Sequence, residues 1–227
     1  MSGVFEHAVA TLRADTDPVW PVRKALPPNK TQHKRALGAE EVGQLLNDFD
    51  GHGGNFQTIK AFQLMWLTLS RPNESVQAEW VEFDLDKALW TIPARRMKAR
   101  REHVVPLPTQ AVELLKAMHP ITGHTKFVFP NRDDRQRPMA DAALRQALKK
   151  LGWATKYSPH GTRTTGSTRL NEMGYRPDAI EAQLAHAEPN SVRRTYNHAS
   201  YLDERRSMMQ DWAHKLDQWK SIHSKGQ

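Results

Sequence analysis

Four prolines within eleven residues, Pro18, Pro21, Pro27 and Pro28, constrain this chain more than any other feature. A proline has no backbone N–H and holds φ near −65°, so DTDPVWPVRKALPPNKTQHKRAL can sustain neither a helix nor a central strand. With its many basic residues the stretch reads as an extended connector. Ahead of it, Val4, Phe5, Ala8, Val9 and Leu12 recur at helical spacing, which predicts a short amphipathic helix over 2–14. From Leu37 onward the pattern is that of a compact domain. The expected division is 1–17 as the end of a preceding domain, 18–36 as a linker, and 37–227 as the main domain.

Within that main part the periodicity predicts helices over 39–48, 55–70 and 73–79. WVEFDLDKALWTIPA then reads as two strands joined at Asp84–Lys87, and HVVPL as a third beyond the basic tip RRMKARRE. Helices are expected near 109–118, 140–151, 159–173, 177–186, 190–198 and 201–220, together with one short apolar piece, KFVFP. The fold class is therefore mostly α with a small antiparallel β-sheet (α+β). KFVFP lies at 126–130, between the first two of those later helices.

No cysteine is present, which excludes disulfides and thiolate metal sites. The sequons at Asn29 and Asn73 are read as chance. Mean hydropathy is −0.72, and no apolar run approaches the roughly 20 residues of a membrane span. Lys and Arg exceed Asp and Glu by 33 to 25, a net +8 that favours a polyanionic partner, nucleic acid being the commonest. There is no GxxxxGK[ST] phosphate loop, and the histidines are scattered rather than spaced as metal ligands.

Several polar residues admit both a structural and a chemical reading. In SPHGTR, Ser158 is a candidate N-cap and Pro159 a first helical residue, which sets His160 and Arg163 one turn apart. A helix N-terminus with a histidine and an arginine suits a phosphate; an ordinary capped helix explains the same letters. In TLSRPNES, Arg71 stands between the apolar helix AFQLMWLTL and a helix opened by Pro72. A partly desolvated guanidinium needs an anion, and Glu74 supplies one or acts as a capping-box glutamate. Lys98 sits in the tip with Arg95, Arg96, Arg100 and Arg101, either a solvated turn or a contact to a nucleic-acid backbone. His186 ends a helix broken by Glu188-Pro189, and Asn190 caps the next. Tyr196, four residues after Val192, is on its own a half-buried packing residue or a nucleophile.

The order Arg71-x-x-Glu74, Lys98 on a hairpin, His160-x-x-Arg163, His186, Tyr196 resembles the tyrosine recombinases, the phage integrase family. It looks most like the integrases of satellite prophages and genomic islands. The resemblance runs over about 37–220 and is carried by TLSRPNESVQAEWVEFDLDKALWTIPARRMKARREHVVPLP, HGTR and RPDAIEAQLAHAEPNSVRRTYNHASYLDERRSMMQDWA. Two positions depart from the family's habit: Leu69 and Ala185 stand where glycine is frequent, before the first arginine and before His186.

The resemblance implies site-specific DNA cleavage and rejoining for integration or excision of a prophage or island. Tyr196 would attack the scissile phosphate and form a 3′-phosphotyrosine. Arg71 and Arg163 would clamp the phosphoryl oxygens with forked donors, helped by His186. Lys98 would protonate the leaving 5′-oxygen, His160 would assist proton transfer at the tyrosine, and Glu74 would orient Arg71 and His160. No metal, ATP or other cofactor is implied, because the phosphotyrosine keeps the bond energy. The implied partners are double-stranded DNA attachment sites, a tetramer on DNA, and an accessory bending or excision factor, in the cytoplasm of a bacterium at its nucleoid. Residues 2–14 would be the last helix of a core-binding domain. The apolar stripe of 201–220 would pack on a neighbouring protomer or fold back on its own core. Competing expectations are a type IB topoisomerase, a catalytically silent DNA-binding regulator and a non-enzymatic interaction protein.

Overall fold

The computed structural model describes residues 2–21, 35–186 and 201–224. Two compact units divide the chain, 1–33 and 34–227. In the first, α1 (Ser2–Ala10) stops short of the expected Ala14. Leu12 takes a left-handed φ of 58°, and Arg13 N–H closes the end on the Ala8 carbonyl at 2.8 Å. Val4 and Leu12 are exposed, and Phe5, Ala8 and Val9 are half-buried.

The second unit is built around one apolar helix. α2 (Ala39–Asp50) opens with Glu41 accepting the Gly38 N–H at 2.9 Å and pairing with Arg35. α3 (Phe56–Thr68) is capped by Asn55, whose side chain accepts the Gln57 N–H at 2.8 Å. Ala61, Phe62, Leu64, Met65 and Trp66 of α3 are completely buried. Phe62 stacks on Phe49 of α2, and Trp66 stacks on Tyr157 and on Trp212. α4 (Pro72–Val76) is shorter than expected and gives way to a 3-10 turn at Trp80–Glu82.

β1 (Phe83–Asp84), β2 (Leu89–Ile92) and β3 (His103–Pro106) form an antiparallel meander in the order β1-β2-β3. Trp90 lies opposite Phe83 and Val105. The first turn is held by Asp84, which accepts the Lys87 N–H at 2.9 Å. α5 (Thr109–Thr122) continues past Pro120, four residues beyond the expected end. The buried Thr122 hydroxyl ties that last turn to the carbonyls of Met118 and Val128. KFVFP is not a free strand: Phe127 bridges to Glu79, and Val128 N–H reaches the Ala78 carbonyl.

α6 (Ala142–Lys150), α7 (Gly161–Glu172), α8 (Pro177–Gln183) and α9 (Leu202–Ser224) complete the described part. α9 folds back on its own chain. Met208, Met209, Trp212 and Leu216 are buried, and Trp212 Nε1 donates to the Trp66 carbonyl at 2.8 Å. Gly43 on α2 lets the backbones meet: a Cβ there would lie 2.3 Å from the Trp219 carbonyl oxygen. The helix expected over 190–198 falls outside the described residues.

Candidate functional site

The junction between α3 and α4 positions Arg71. Leu69 follows the last helical residue with φ 53° and ψ 25°, the left-handed conformation that turns the chain back. Arg71 then occupies the N-cap of α4, with Pro72 as first helical residue. Glu74, 4% exposed, accepts the Arg71 backbone N–H at 2.8 Å and Arg71 Nη1 at 2.7 Å. Both sequence readings of Glu74 therefore hold at once: it caps the helix and pairs with the guanidinium. Arg71 Nη2 points on to the carbonyl of Ala185 at 3.4 Å.

Arg163 comes from the first turn of α7. The helix begins later than the letters SPHGTR predict: Gly161 is its first residue, His160 holds the N-cap position, and Ser158 makes no cap. The reason is a tight turn in which the Gly161 N–H bonds the Ser158 carbonyl at 2.7 Å. His160 is exposed, whereas Arg163 is 8% exposed. Arg163 Nη1 donates to the Leu69 carbonyl at 2.9 Å and Nη2 to the Leu184 carbonyl. Burial, reinforced by the charge of Arg71, pulls the Arg163 pKa down to about 10, while Glu74 and Glu181 oppose the shift. The two guanidinium groups thus come together from elements 92 positions apart and grip adjacent carbonyls, Leu184 and Ala185.

Those carbonyls belong to the end of α8. Ala185 N–H reaches the Ala182 carbonyl and His186 N–H the Glu181 carbonyl, a Schellman ending with Ala185 left-handed at φ 48°. α6 and α7 end the same way, but with Gly152 and Gly174 at the left-handed position. Leu69 and Ala185, the two departures from the family's glycine habit, are thus both left-handed here, where glycine is the natural residue. His186 follows at once, exposed, with Nδ1 bonded to Glu181 at 2.7 Å.

The basic tip is divided. Lys98, Arg100 and Arg101 are exposed on the connection between β2 and β3, and Arg95 is exposed with an ion pair to Glu79 at 3.1 Å. Arg96 corrects the reading of five tip cations: its side chain is 9% exposed, paired with Glu82 and bonded to the Glu74 carbonyl at 2.6 Å. A short 3-10 turn over Ala94–Arg96 swings it inward, with Met97 buried behind it. Arg71, Glu74, Arg163 and His186 therefore share one region. Tyr196 lies outside the described residues.

Sequence reasoning overlooked a second polar group beside this region. His103 on β3 bonds the Gln183 carbonyl through Nε2 at 3.0 Å. Gln183 and Arg205, 2% and 3% exposed, bond each other. Arg205 carried a legible signal: it sits between Leu202 and Met208, Met209 and Trp212 on the apolar stripe of α9, where a charge has no reason to be unless bonded.

The phage integrase family model matches residues 35–202, about three quarters of the chain. The chain belongs to the phage integrase family. It is 38% identical over 210 residues to prophage integrase IntA of Escherichia coli (strain K12), covering 92% of this chain and 51% of that protein. It is 37% identical over 233 residues to the integrase of Enterobacteria phage P4, covering 96% and 53%. The chain spans about half the length of the curated relatives it matches. Among solved structures, the integrase from mycobacterium phage Brujita superposes with a TM-score of 0.60 at 14% identity, over 96% of this chain and 73% of that one. A lambda integrase(75-356) dimer bound to a COC′ core site superposes with a TM-score of 0.58 at 18% identity, over 82% and 69%. These likenesses establish the tyrosine recombinase catalytic-domain fold for this integrase-family chain.

Proposed function

We propose that this chain is the catalytic part of a site-specific DNA recombinase that integrates or excises a prophage or genomic island. The observation that carries the proposal is the pairing of Arg71 with Arg163. Two like charges held together, one of them buried, repel each other, and Glu74 balances only part of that charge. A phosphodiester anion entering there would be stabilised by both, most strongly as charge grows on its oxygens in the transition state.

In the proposed step the Tyr196 oxygen attacks the scissile phosphorus and the bond to the 5′-oxygen breaks. A 3′-phosphotyrosine is left, and the 5′-oxygen takes a proton from Lys98. Arg71, Arg163 and His186 hold the non-bridging oxygens, Glu74 fixes Arg71, and His160 assists the phenol proton. Attack by a 5′-hydroxyl reverses the step and rejoins the strand, so the balance closes without ATP. The basic residues Lys98, Arg100, Arg101 and Arg95 would face double-stranded DNA at an attachment site. Residues 1–17 would end a core-binding domain, 18–36 would be its linker, and 37–227 the catalytic domain. Working as a tetramer on DNA, with an accessory bending or excision factor, belongs to the same proposal. Neighbours of this fold include the XerH recombinase solved on its difH substrate, which supports DNA as the partner. The type IB topoisomerase, silent-regulator and interaction-protein readings have no specific observation in their favour.

The test is covalent trapping. Nicked suicide duplexes drawn from the boundaries of the encoding element should yield a protein–DNA adduct, and Tyr196→Phe should abolish it. An adduct of equal yield in Tyr196→Phe contradicts the assignment, and no adduct on its own site with the unaltered protein carrying the core-binding domain ahead of this chain contradicts the recombinase reading.

A further inference from the structure

Behind the arginine pair lies a buried polar group that joins four elements and has no part in the chemistry proposed above. Gln183, the last residue of α8, donates from Nε2 to the Thr68 carbonyl at 2.8 Å. Its Oε1 accepts from Arg205 Nε of α9 at 3.0 Å, and its backbone carbonyl is bonded by His103 of β3 at 3.0 Å. Arg205 Nη2 continues to the Val104 carbonyl of β3 at 2.7 Å. Gln183 therefore spends its backbone acceptor and both ends of its amide on three different elements.

The next two residues are Leu184 and Ala185, whose carbonyls receive Arg163 and Arg71. Thr68, held by the Gln183 amide, immediately precedes Leu69, whose carbonyl receives the other arm of Arg163. The amide of Gln183 thus ties together the two strands of backbone on which Arg163 rests. Both strands are left-handed at a non-glycine residue, Leu69 and Ala185. Such residues revert to ordinary conformations unless their surroundings hold them.

We propose that Gln183 and Arg205 are positioning residues: they lock the ends of α3 and α8 against β3 and α9, and so set the spacing of the carbonyls that aim Arg163 and Arg71. The seating of the last helix on its own chain then becomes a condition for an aligned arginine pair. The catalytic consequence rests on the recombinase reading, whereas the structural core of the proposal does not.

The experiment separates the two. Proton exchange of the Arg163 guanidinium is followed by NMR in the 227-residue chain without DNA, beside the exchange of the Trp66 amide, which reports global opening. In Gln183→Met, which keeps the shape but offers neither bond, Arg163 exchange should rise at least tenfold relative to Trp66. Arg205→Lys, which keeps the charge and one donor direction, should fall between that variant and the unaltered protein, and it serves alone if Gln183→Met does not fold. Unchanged Arg163 exchange relative to Trp66 in either folded variant overturns the proposal. On the suicide duplex, single-turnover adduct formation should fall about tenfold in Arg205→Lys with the DNA Kd within about threefold. A fall in affinity with an unchanged rate also overturns it. Raised Arg163 exchange in the variants, with no adduct from the unaltered protein, upholds the positioning role and removes the recombinase reading.

Discussion

Replacing Gly166 on α7 should reverse the sign of its effect according to what stands at position 69. A Cβ on Gly166 would lie 2.4 Å from Leu69 Cδ2, 2.7 Å from Cδ1 and 3.1 Å from Cγ. Leu69 has no exposed surface, and its carbonyl is held by Arg163, so the side chain has little room to retreat. Overpacking of this kind costs about 1–3 kcal/mol, while alanine gains about 1 kcal/mol over glycine inside a helix. Gly166→Ala should therefore destabilise the protein by about 1 kcal/mol. Leu69→Ala removes all three clashing atoms and costs about 2–5 kcal/mol as a cavity. In that background Gly166→Ala should stabilise by about 1 kcal/mol, a coupling of about 2 kcal/mol for a pair in contact. Urea unfolding of the four proteins measures this, with an unchanged m value as the check that the unfolded state is the same. Effects that add to within about 0.5 kcal/mol would refute the packing of Leu69 against Gly166.

Two further outcomes follow from buried charge. Burial, followed by the charge of Arg205, lowers the His103 pKa to about 4, so the folded state resists its protonation. The stability it contributes is complete above about pH 6.5 and is lost as pH falls toward 4. Between pH 7.5 and 4.5 the unaltered protein should lose about 2–3 kcal/mol more than His103→Gln in urea titrations, and equal losses would contradict the burial of a neutral imidazole. Arg96→Met should cost about 3–5 kcal/mol by thermal or urea unfolding, because it strands the buried Glu82 carboxylate, whereas a solvated tip arginine would cost under about 0.5 kcal/mol.

Much of this fold was legible because long apolar periodicity leaves few choices. AFQLMWLTL became the central helix, and the β meander appeared where alternating strands and turn formers stood together. Boundaries were less legible where tertiary contacts outbid local signals. Pro120 did not end α5, because Thr122 is tied to Val128; Ser158 did not cap α7, because a tight turn precedes Gly161. The convergence of Arg71 and Arg163 was readable only from the order of motifs, since spacing within each motif says nothing about a partner 92 positions away. Arg96 looked like its neighbours in the basic run, and only the turn at Ala94–Arg96 sends it inward. Gln183 and His103 carried no sequence signal: a glutamine at a helix end and a histidine in a strand are ordinary until the fold buries them.

In the proposed reaction one phenol, that of Tyr196, becomes linked to DNA beside Arg71 and Arg163. Tryptic digestion of the trapped adduct should release the peptide 195–205, which contains both Tyr196 and Tyr201. Fragmentation by mass spectrometry should place the 3′-phosphonucleotide on Tyr196. The same mass on Tyr201, or on any residue outside this peptide, would rule out Tyr196 as the nucleophile.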